Sequence, residues 1–313
     1  MGSVNLRAYE SCTLCPRKCG ANRLAGELGV CGASSRVSVA RAALHLWEEP
    51  PISGITGSGT VFFAHCPLHC VYCQNREISV RSIDSDANPW IDRAISSGER
   101  SDIFFDLQAN GANNINLVTA THYLPEVVEA IERARSEGLA IPFLLNTSGY
   151  ESMETLRALD GLIDIYLTDF KYADPALAQR YSRAADYPQV VKEALAEMVR
   201  QTGAPKYRDG GEDGELLVSG TVVRHLVLPG CFEDSLAIID YLGAEYGSQI
   251  ALSLMSQYMP LADSGEFPEI ARRIDPHGYA ALVARAEAMD FEECFIQDPS
   301  AAIEDYIPAF EGL

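Results

Sequence analysis

Residues 57–75, GSGTVFFAHCPLHCVYCQN, contain a short apolar run followed at once by three cysteines. The run, residues 60–64, has the length and composition of a buried β-strand and leads into the cysteine-bearing loop. Cys66, Cys70 and Cys73 are separated by three and then by two residues. In α/β barrels the chemistry gathers at the carboxyl ends of the strands. A fixed cysteine spacing directly after a strand therefore predicts a metal centre at such an end.

Further apolar runs rich in Val, Ile and Leu follow, as expected of buried parallel strands. They are residues 115–119, 141–145, 163–168, 221–228 and 249–255, with Cys294–Ile296 as a last short one. Helical patterns separate them, at residues 103–109, 124–134, 153–159, 190–200, 235–246 and 279–289. Repeated βα units predict an α/β fold with a parallel sheet, closed or partly closed as a barrel. The polar, glycine-rich residues 203–220 predict a surface hairpin or a flexible loop.

The composition is that of an ordinary globular protein, with 313 residues, 47% of them hydrophobic. Acidic residues outnumber basic ones 44 to 24, for a net charge of −20. Such a surface repels phosphate backbones, so we expect no DNA partner, and RNA is disfavoured. No apolar run approaches the ~20 residues of a membrane span, and residues 1–12 lack a signal-peptide core. We therefore expect a cytoplasmic protein with no membrane partner.

A second group of cysteines lies near the amino terminus, at Cys12, Cys15, Cys19 and Cys31. Cytosolic thiols stay reduced, so their crowding indicates a metal rather than disulfides. Residues 1–56 hold too few large apolar side chains for a core of their own, which predicts a small metal-bound lobe there and a barrel with a C-terminal extension over 57–313. The second metal is either a structural zinc or an auxiliary iron–sulfur cluster that relays an electron.

The Cys66 group has one ligand fewer than the amino-terminal group. Three thiolates on a [4Fe–4S] cluster leave one iron open to a small chelating molecule, whereas four would saturate it. The alternative is a zinc ion bound by the three thiolates and by His69 or His65.

The spacing Cys-x3-Cys-x2-Cys, with Tyr72 before the last cysteine, resembles the signature of the radical S-adenosylmethionine (SAM) superfamily. The chain as a whole resembles pyruvate formate-lyase activating enzyme-like proteins, relatives of the activases of glycyl radical enzymes, that carry an amino-terminal cysteine cluster. The resemblance rests on CTLCPRKCGANR, ARAALHLWEEP, NINLVTATHY, LLNTSGYE, DIYLTDFKY and VVRHLVLPG, which run from Cys12 to Gly230. It implies a partial (β/α)6 TIM-like barrel of the radical SAM type.

The resemblance also implies cofactors and an activity. Cys66, Cys70 and Cys73 would ligate a [4Fe–4S] cluster, and SAM would bind its open iron. Reductive cleavage of SAM would give a 5′-deoxyadenosyl radical that abstracts hydrogen from a substrate. The cofactor supplies this chemistry while the protein positions and shields it.

Residues that would contact SAM follow from the same resemblance. They are Tyr72, Thr119, Thr121, Asn146, Thr147, Ser148, Asp169, Lys171, Arg224 and Gln257. Lys171 would pair with the methionyl carboxylate, and Asp169 would accept from the amine. Tyr72 lies near the adenine or is a core tyrosine, and His225 is interpreted as a core histidine with satisfied hydrogen bonds.

One segment departs from the family. A Gly-Gly-Glu sequence usually follows the second strand and holds the SAM amino group, but residues 118–122 here read VTATH. Backbone carbonyls and the hydroxyl of Thr119 or Thr121 can accept from an ammonium group. His122 is a candidate substrate or proton-transfer residue, and the changed edge leaves the substrate open.

Three functions remain as hypotheses. The first is an activase that receives an electron from a donor such as flavodoxin or ferredoxin and abstracts hydrogen from a glycyl radical enzyme partner. The second keeps the radical chemistry but acts on a small molecule, a peptide or an RNA base. The third is a zinc-stabilised binding module without catalysis.

Overall fold

The structure is a computed structural model that describes residues 6–79, 95–260, 265–298 and 310. A nine-stranded sheet runs through this part of the chain in the order β1-β2-β3-β4-β5-β7-β8-β9, and β6 pairs with β7. The strands are β1 (Val39–His45), β2 (Ser58–Phe63), β3 (Ile115–Val118), β4 (Phe143–Thr147), β5 (Ile165–Asp169), β6 (Lys206–Asp209), β7 (Glu215–Leu226), β8 (Ala251–Met255) and β9 (Cys294–Ile296). From β2 to β9 every neighbouring pair along the order is parallel, while β1 runs antiparallel to β2.

The helices in the described residues are α1 (Pro50–Ser53), α2 (Arg76–Ser79), α3 (Ser97–Ala109), α4 (Leu124–Ser136), α5 (Met153–Ala158), α6 (Pro175–Ser182), α7 (Tyr187–Thr202), α8 (Phe232–Glu245) and α9 (Pro276–Glu287). Many begin where local chemistry favours a start. Ser96 and Glu99 form a reciprocal capping box at α3, and Asp174 caps α6, whose first residue is Pro175. No described helix is long and apolar enough to cross a bilayer.

The inward-facing side chains of the strands form two layers. In the lower layer Ile52, from α1, packs with Leu144, Ile165, Leu167, Leu217, Val222 and Ala251. Two positions further along four of these strands stand Asn146, Asp169, Arg224 and Ser253, which face a cavity. Side chains alternate between the two faces of a strand, so residues two positions apart point to the same side. The apolar and the polar residues of a strand therefore both face the inside of the barrel. The apolar layer closes the barrel below, and the polar layer is the floor of a site.

This architecture confirms the predicted fold class, a mostly parallel α/β sheet of the partial-barrel type. The sheet also includes β1, which lies within the predicted lobe 1–56 yet pairs with β2 over its whole length. Residues 206–219 form the predicted hairpin, and β7 then continues directly into the barrel. The division into a lobe and a barrel stays a prediction, and most of the predicted C-terminal extension lies outside the described residues.

A buried arginine holds the amino-terminal segment to the barrel. Arg23 is 1% exposed, and its guanidinium lies 4.1 Å from the ring centre of Tyr9 and 5.5 Å from that of Tyr123. It donates to the carbonyl oxygens of Ser34, at 3.0 Å, and His122, at 2.6 Å. These cation–π contacts and hydrogen bonds offset part of the cost of burying the charge.

Candidate functional site

A cavity of about 440 Å³ opens above the polar layer, at the carboxyl ends of the strands. Its size is typical of sites for cofactors and small substrates. Cys66, Cys70 and Cys73 all line it. So do nine of the ten residues predicted to contact SAM, namely Tyr72, Thr119, Asn146, Thr147, Ser148, Asp169, Lys171, Arg224 and Gln257. Thr121 is the exception. The fold thus brings together residues that are up to 191 positions apart in the sequence (66 to 257).

Two thiols of the loop, Cys66 and Cys73, have raised pKa values. Burial raises the pKa of Cys66 to about 12, and the nearby Cys70 and Cys73 add to this effect. Burial and Cys70 likewise raise the pKa of Cys73, while Lys171 opposes the shift. Added positive charge, which iron would supply, would stabilise the thiolates of Cys66 and Cys73.

No three His, Cys, Asp or Glu side chains in the described residues converge as the ligands of a single metal ion would. A polynuclear cluster does not require its thiolates to meet at one point. The donor set, three thiols around one cavity with a cation nearby, fits a [4Fe–4S] cluster.

An ion pair lines the same cavity as the thiols. The Lys171 ammonium lies 2.6 Å from Asp169 Oδ2, and both side chains are mostly buried. The Lys171 backbone N–H donates to the Tyr187 hydroxyl at 2.9 Å, which fixes the turn after β5. The lysine and an arginine, Arg224, hold the pKa of Asp169 below its ordinary value despite burial. The methionyl end of SAM is a zwitterion, and this pair offers a cation for its carboxylate and a carboxylate for its amine.

A second charged network enters from the strap, residues 46–49, which connects β1 to α1. Arg224 Nη1 donates to Glu48 Oε2 at 3.0 Å, and Asn116 Nδ2 donates to Glu48 Oε1 at 2.9 Å. Arg224 Nη2 also donates to Asn146 Oδ1. The predicted SAM contacts Arg224 and Asn146 are therefore tied to Glu48, a residue to which the sequence analysis assigned no role.

The next residue of the strap, Glu49, is only 8% exposed and lines the same cavity. Ser253 hydrogen-bonds to its side chain, but its Oε2 atom has no hydrogen-bond partner within the described residues. Burial raises the pKa of this carboxyl, Arg224 opposes the rise, and Glu48 adds to it. The only sequence feature at this position is WEEP, residues 47–50. It did not indicate burial, because a Glu-Glu pair is typical of a solvent-exposed surface.

Residues 118–122, where the sequence departs from the family pattern, include an unusual backbone conformation. Thr119 has φ of 55°, a left-handed conformation that is an outlier for a β-branched residue. Its N–H donates to Asn146 O at 2.9 Å, which joins the ends of β3 and β4. Strain of this kind gathers at functional sites. Thr119 therefore occupies a turn that a glycine would adopt without strain.

The neighbouring residues Thr121 and His122 lie behind the cavity wall. His122 is 1% exposed, and its Nε2 atom lies 3.0 Å from Ala64 O. Burial, with Arg23 nearby, lowers its pKa to about 3, so the ring is neutral. Neither side chain is among those that line the cavity. This placement gives no support to direct contact of either residue with SAM or substrate.

Two other residues predicted to contact SAM, Tyr72 and Gln257, form part of the cavity wall. The Tyr72 ring packs edge-on against Tyr172, Tyr181 and Tyr258, each 6.3 Å away between ring centres. Tyr72 is thus part of the core and also lines the cavity. Gln257 receives a 3.0 Å hydrogen bond from Gln297, which ties the end of β8 to the segment after β9.

His225 is the buried, satisfied core histidine that the sequence indicates. Its Nδ1 atom lies 2.7 Å from Phe170 O, and its Nε2 atom lies 2.9 Å from Ser235 Oγ. Burial lowers its pKa to about 4, so it is neutral.

The four amino-terminal thiols lie in one short segment of the chain, and two of them approach Gly29. Cys12, Cys15 and Cys31 are buried, and Cys19 is half-buried. A Cβ atom on Gly29 would lie 3.1 Å from Cys31 Sγ and 3.6 Å from Cys19 Sγ, so glycine leaves room for both sulfurs. Gly20 and Gly32 take the left-handed turns expected of these loops, with φ of 70° and 87°. The second metal itself stays a prediction.

Arg17 links this cysteine lobe to the Cys66 loop. It lies between Cys15 and Cys19, and it donates to Pro67 O at 3.0 Å and to Leu68 O at 3.3 Å. Further bonds reach the backbone oxygens at the end of α6, at Ser182 and Arg183. Ser182 Oγ in turn lies 3.1 Å from Cys70 Sγ. One guanidinium therefore fixes the lobe against the loop that carries the three-thiol group.

Sequence reasoning also missed Glu151, a buried carboxyl beneath a predicted SAM contact. It accepts a hydrogen bond from the Thr147 hydroxyl and is 4% exposed. Burial raises its pKa from the ordinary 4.5 to about 7, against the effect of that hydrogen bond. The folded state therefore binds its proton more tightly than the unfolded state does.

The free energy of unfolding should consequently fall as pH rises from 4.5 to 7. The loss should reach about 3 kcal/mol, at roughly 1.4 kcal/mol per unit of pKa shift. Glu151→Gln should remove this dependence and be more stable than the wild type at pH 8, as urea unfolding at pH 5 and pH 8 would measure. Glu154→Gln, on the exposed face of α5, is the control. Equal pH slopes in the wild type and Glu151→Gln would contradict the assignment.

Comparison with known proteins gives a family. The family model for the Radical SAM superfamily matches residues 60–205, the segment with the cysteine loop and the Asp169–Lys171 pair. An uncharacterized protein of Methanocaldococcus jannaschii is 25% identical over 276 residues, which cover 85% of this chain and 71% of that protein.

Crystal structures of SuiB from Streptococcus suis are also similar. The structure bound to S-adenosylmethionine aligns with a TM-score of 0.47 at 11% identity, over 74% of this chain. The structure bound to the precursor peptide SuiA aligns with a TM-score of 0.46 at 12% identity. This chain spans about half of SuiB, 48% in the first alignment.

The segment matched by the family model contains many of the residues that line the cavity. The matched segment begins in β2, contains all three thiols of the cavity, and extends through β3, β4 and β5. Superfamily members use an iron–sulfur cluster and SAM, and the cavity holds the donors that such a pair requires. The Radical SAM superfamily model thus matches residues 60–205, which include the cysteine loop and the Asp169–Lys171 pair of the cavity.

Proposed function

We propose that this protein is a radical SAM enzyme that cleaves SAM reductively and uses the resulting radical to abstract hydrogen from a substrate. The observation that carries the proposal is the meeting of Cys66, Cys70 and Cys73 with the Asp169–Lys171 pair in one cavity. When bound, the cluster supplies the electron that splits SAM into methionine and a 5′-deoxyadenosyl radical. The chain's own residues hold the cluster, orient SAM and exclude water.

Each group of residues has a distinct task in this proposal. The three thiolates hold the cluster and leave one iron open. Lys171 binds the methionyl carboxylate and Asp169 accepts from the amine, so the 2.6 Å pair between them loosens as SAM arrives. Asn146, Thr147 and Ser148 lie at the end of β4, where the ribose is expected. Closure of the barrel floor by α1 keeps bulk water from the radical.

A more specific part of the proposal concerns the molecule from which hydrogen is abstracted. The motifs of the sequence favour a glycyl radical enzyme partner, with an electron donor such as flavodoxin or ferredoxin. A small molecule is the second candidate, favoured by the two strap carboxylates at the bottom of the cavity. A metal at Cys12, Cys15, Cys19 and Cys31, zinc or an auxiliary iron–sulfur cluster, completes the proposal.

Reductive cleavage tests the central claim. Anaerobically purified, iron-loaded protein with dithionite and SAM should yield 5′-deoxyadenosine and methionine, slowly even without the true substrate. Chromatography of the products measures both. A protein that carries the cluster but never cleaves SAM would contradict the proposal, and the zinc-stabilised binding module would then be the better interpretation.

Lys171→Ala should weaken SAM binding about ten- to a hundredfold, because a charge-assisted hydrogen bond contributes roughly 1.5–3 kcal/mol. Asp169→Ala should act similarly through the amine. Iron content should stay normal in both variants, since neither residue is a ligand. Anaerobic titration with SAM measures the affinity, and Lys206→Ala, exposed on β6, is the control. Undiminished affinity in Lys171→Ala would remove this lysine from the site.

A further inference from the structure

The turn that carries Arg17 belongs to the amino-terminal cysteine group. The Lys18 N–H donates to Cys15 O at 3.0 Å and closes a β-turn. Pro16 and Arg17 occupy its two central positions, and proline is favoured at the first because its φ is already fixed there. The turn begins at one cysteine of the group and ends next to another, Cys19. The position of Arg17 is therefore set by the segment that would hold the second metal.

From this turn Arg17 reaches the three-thiol loop, residues 66–73. Its guanidinium donates to Pro67 O at 3.0 Å and to Leu68 O at 3.3 Å, both between the first two cysteines of the loop. It also donates to Ser182 O at 2.8 Å, in the last residue of α6. In the described chain, the hydrogen bonds of Arg17 all go to backbone oxygens. The arginine therefore holds backbone on both sides of the loop.

Two of the residues that Arg17 holds also donate hydrogen bonds to sulfur atoms of the loop. The Leu68 N–H donates to Cys66 Sγ at 3.4 Å. The Ser182 hydroxyl donates to Cys70 Sγ at 3.1 Å. Hydrogen bonds to the sulfur ligands are one of the factors that set the reduction potential of an iron–sulfur cluster. Arg17 thus lies one residue behind two donors of this kind.

Both donors depend on contacts from outside the loop. Leu68 is fully buried, and the next residue, His69, has φ of 56°, a left-handed conformation that is uncommon outside glycine. Such a backbone persists where surrounding contacts hold it, and the bonds from Arg17 to the two preceding carbonyls are contacts of this kind. The Tyr172 hydroxyl lies 2.8 Å from Ser182 Oγ, and as a donor it leaves the serine proton for the sulfur.

Building on the radical SAM function, we propose that Arg17 is a positioning residue that sets the reduction potential of the [4Fe–4S] cluster and makes this potential depend on the amino-terminal cysteine group. A hydrogen bond to a thiolate sulfur stabilises the reduced, more negative state more than the oxidised state, so the two donors raise the potential. Arg17 acts through the Leu68 and Ser182 donors, since its own bonds go to backbone oxygens. Loss of the amino-terminal metal frees the turn, loosens both donors and makes the cluster harder to reduce.

Reduction potentials of matched variants test the proposal. Arg17→Lys keeps the charge but loses the forked hydrogen bonds, and Ser182→Ala removes one donor directly. Anaerobic, iron-loaded protein is titrated with dithionite, and EPR follows the signal that disappears when the three loop cysteines are replaced. Each variant should be harder to reduce by about tenfold in the equilibrium constant, or about 59 mV for one electron. Lys18→Gln, which removes the exposed neighbouring cation, should keep the wild-type potential.

Two combined variants test the route of the effect. In Arg17→Lys with Ser182→Ala the shift should be smaller than the sum of the single shifts, because both changes disturb the same bond to Cys70. Replacing the four amino-terminal cysteines should lower the potential as Arg17→Lys does, and adding Arg17→Lys to that variant should cause no further shift.

A wild-type potential in Arg17→Lys at full iron content would overturn the proposal, and so would additive shifts or an unchanged potential after replacement of the amino-terminal cysteines. Ser182→Ala leaves Arg17 intact, so the test stands even if Arg17→Lys holds no cluster, and a wild-type potential in Ser182→Ala also overturns the proposal. SAM cleavage is measured separately on the same preparations. Shifted potentials without cleavage in the wild type contradict the radical function alone, and normal cleavage with unshifted potentials contradicts the role of Arg17 alone.

Discussion

Replacing Cys66, Cys70 and Cys73 together by alanine should abolish the cleavage of SAM and remove one iron–sulfur cluster from the protein. The three thiols line one cavity, and burial raises the pKa of Cys66 and of Cys73, so their thiolates need the compensating charge of a bound metal. The described lining of the cavity includes no other cysteine, the usual ligand of an iron–sulfur cluster. Iron and sulfide analysis, with the absorbance of the thiolate-to-iron band, measures the loss.

The matched control for this variant is Cys231→Ala, because Cys231 is a buried thiol outside the cavity lining. It should keep both the iron content and the cleavage of SAM. Single alanine changes at Cys66, Cys70 or Cys73 should each remove the cluster as well. Full iron content in the triple variant would show that this loop is not the cluster site.

Replacing Cys12, Cys15, Cys19 and Cys31 should remove a second metal and unfold the lobe around it. A structural metal of this kind contributes about 10–16 kcal/mol of binding free energy to folding in small zinc domains. Three of its four cysteines are buried, so the substitutions also remove buried side chains from the lobe. The loss should be one zinc, or about four irons if the group holds a cluster.

Hydrogen exchange locates this effect. The Cys12 and Gly20 amides donate to Ala21 O and Cys12 O, at 3.1 and 3.0 Å, so their protection reports on the lobe. The amide of Leu252 in β8, bonded to Glu293 O at 2.9 Å, reports on the barrel and should stay protected. Cys294→Ala, a half-buried cysteine outside both groups, is the control. Unchanged metal content in the quadruple variant would exclude both the zinc and the auxiliary cluster.

The sheet was predictable because its strands are buried on both faces. Continuous runs of Val, Ile and Leu identify β3, β4 and β5 to within two residues at each end. The strand β1 reads VARAALH and is half-buried along most of its length, so its periodicity carries less information. The helix α6, PALAQRYS, was missed for a related reason, since it is short and mixes polar with small residues.

The thiols and the Asp169–Lys171 pair could be located from sequence because they follow strands or form a fixed spacing. Glu48 and Glu49 could not. Their position inside the barrel results from the antiparallel pairing of β1 with β2 and from the burial of Ile52. Nothing in the local pattern of WEEP encodes these long-range contacts. Thr121 shows the opposite error, since a residue in a plausible stretch of sequence lies behind the cavity wall.

The bonds of Arg17 join parts of the chain that are synthesised at different times. Contacts within the cysteine lobe are local, such as Cys12 with Ala21 and Arg23 with Ser34. The carbonyls that Arg17 binds lie far along the sequence, up to 166 residues away at Arg183. Closing so long a loop is slow compared with forming local contacts. Because synthesis starts at the amino terminus, the four cysteines and their local contacts leave the ribosome well before the helix α6, whose end Arg17 binds.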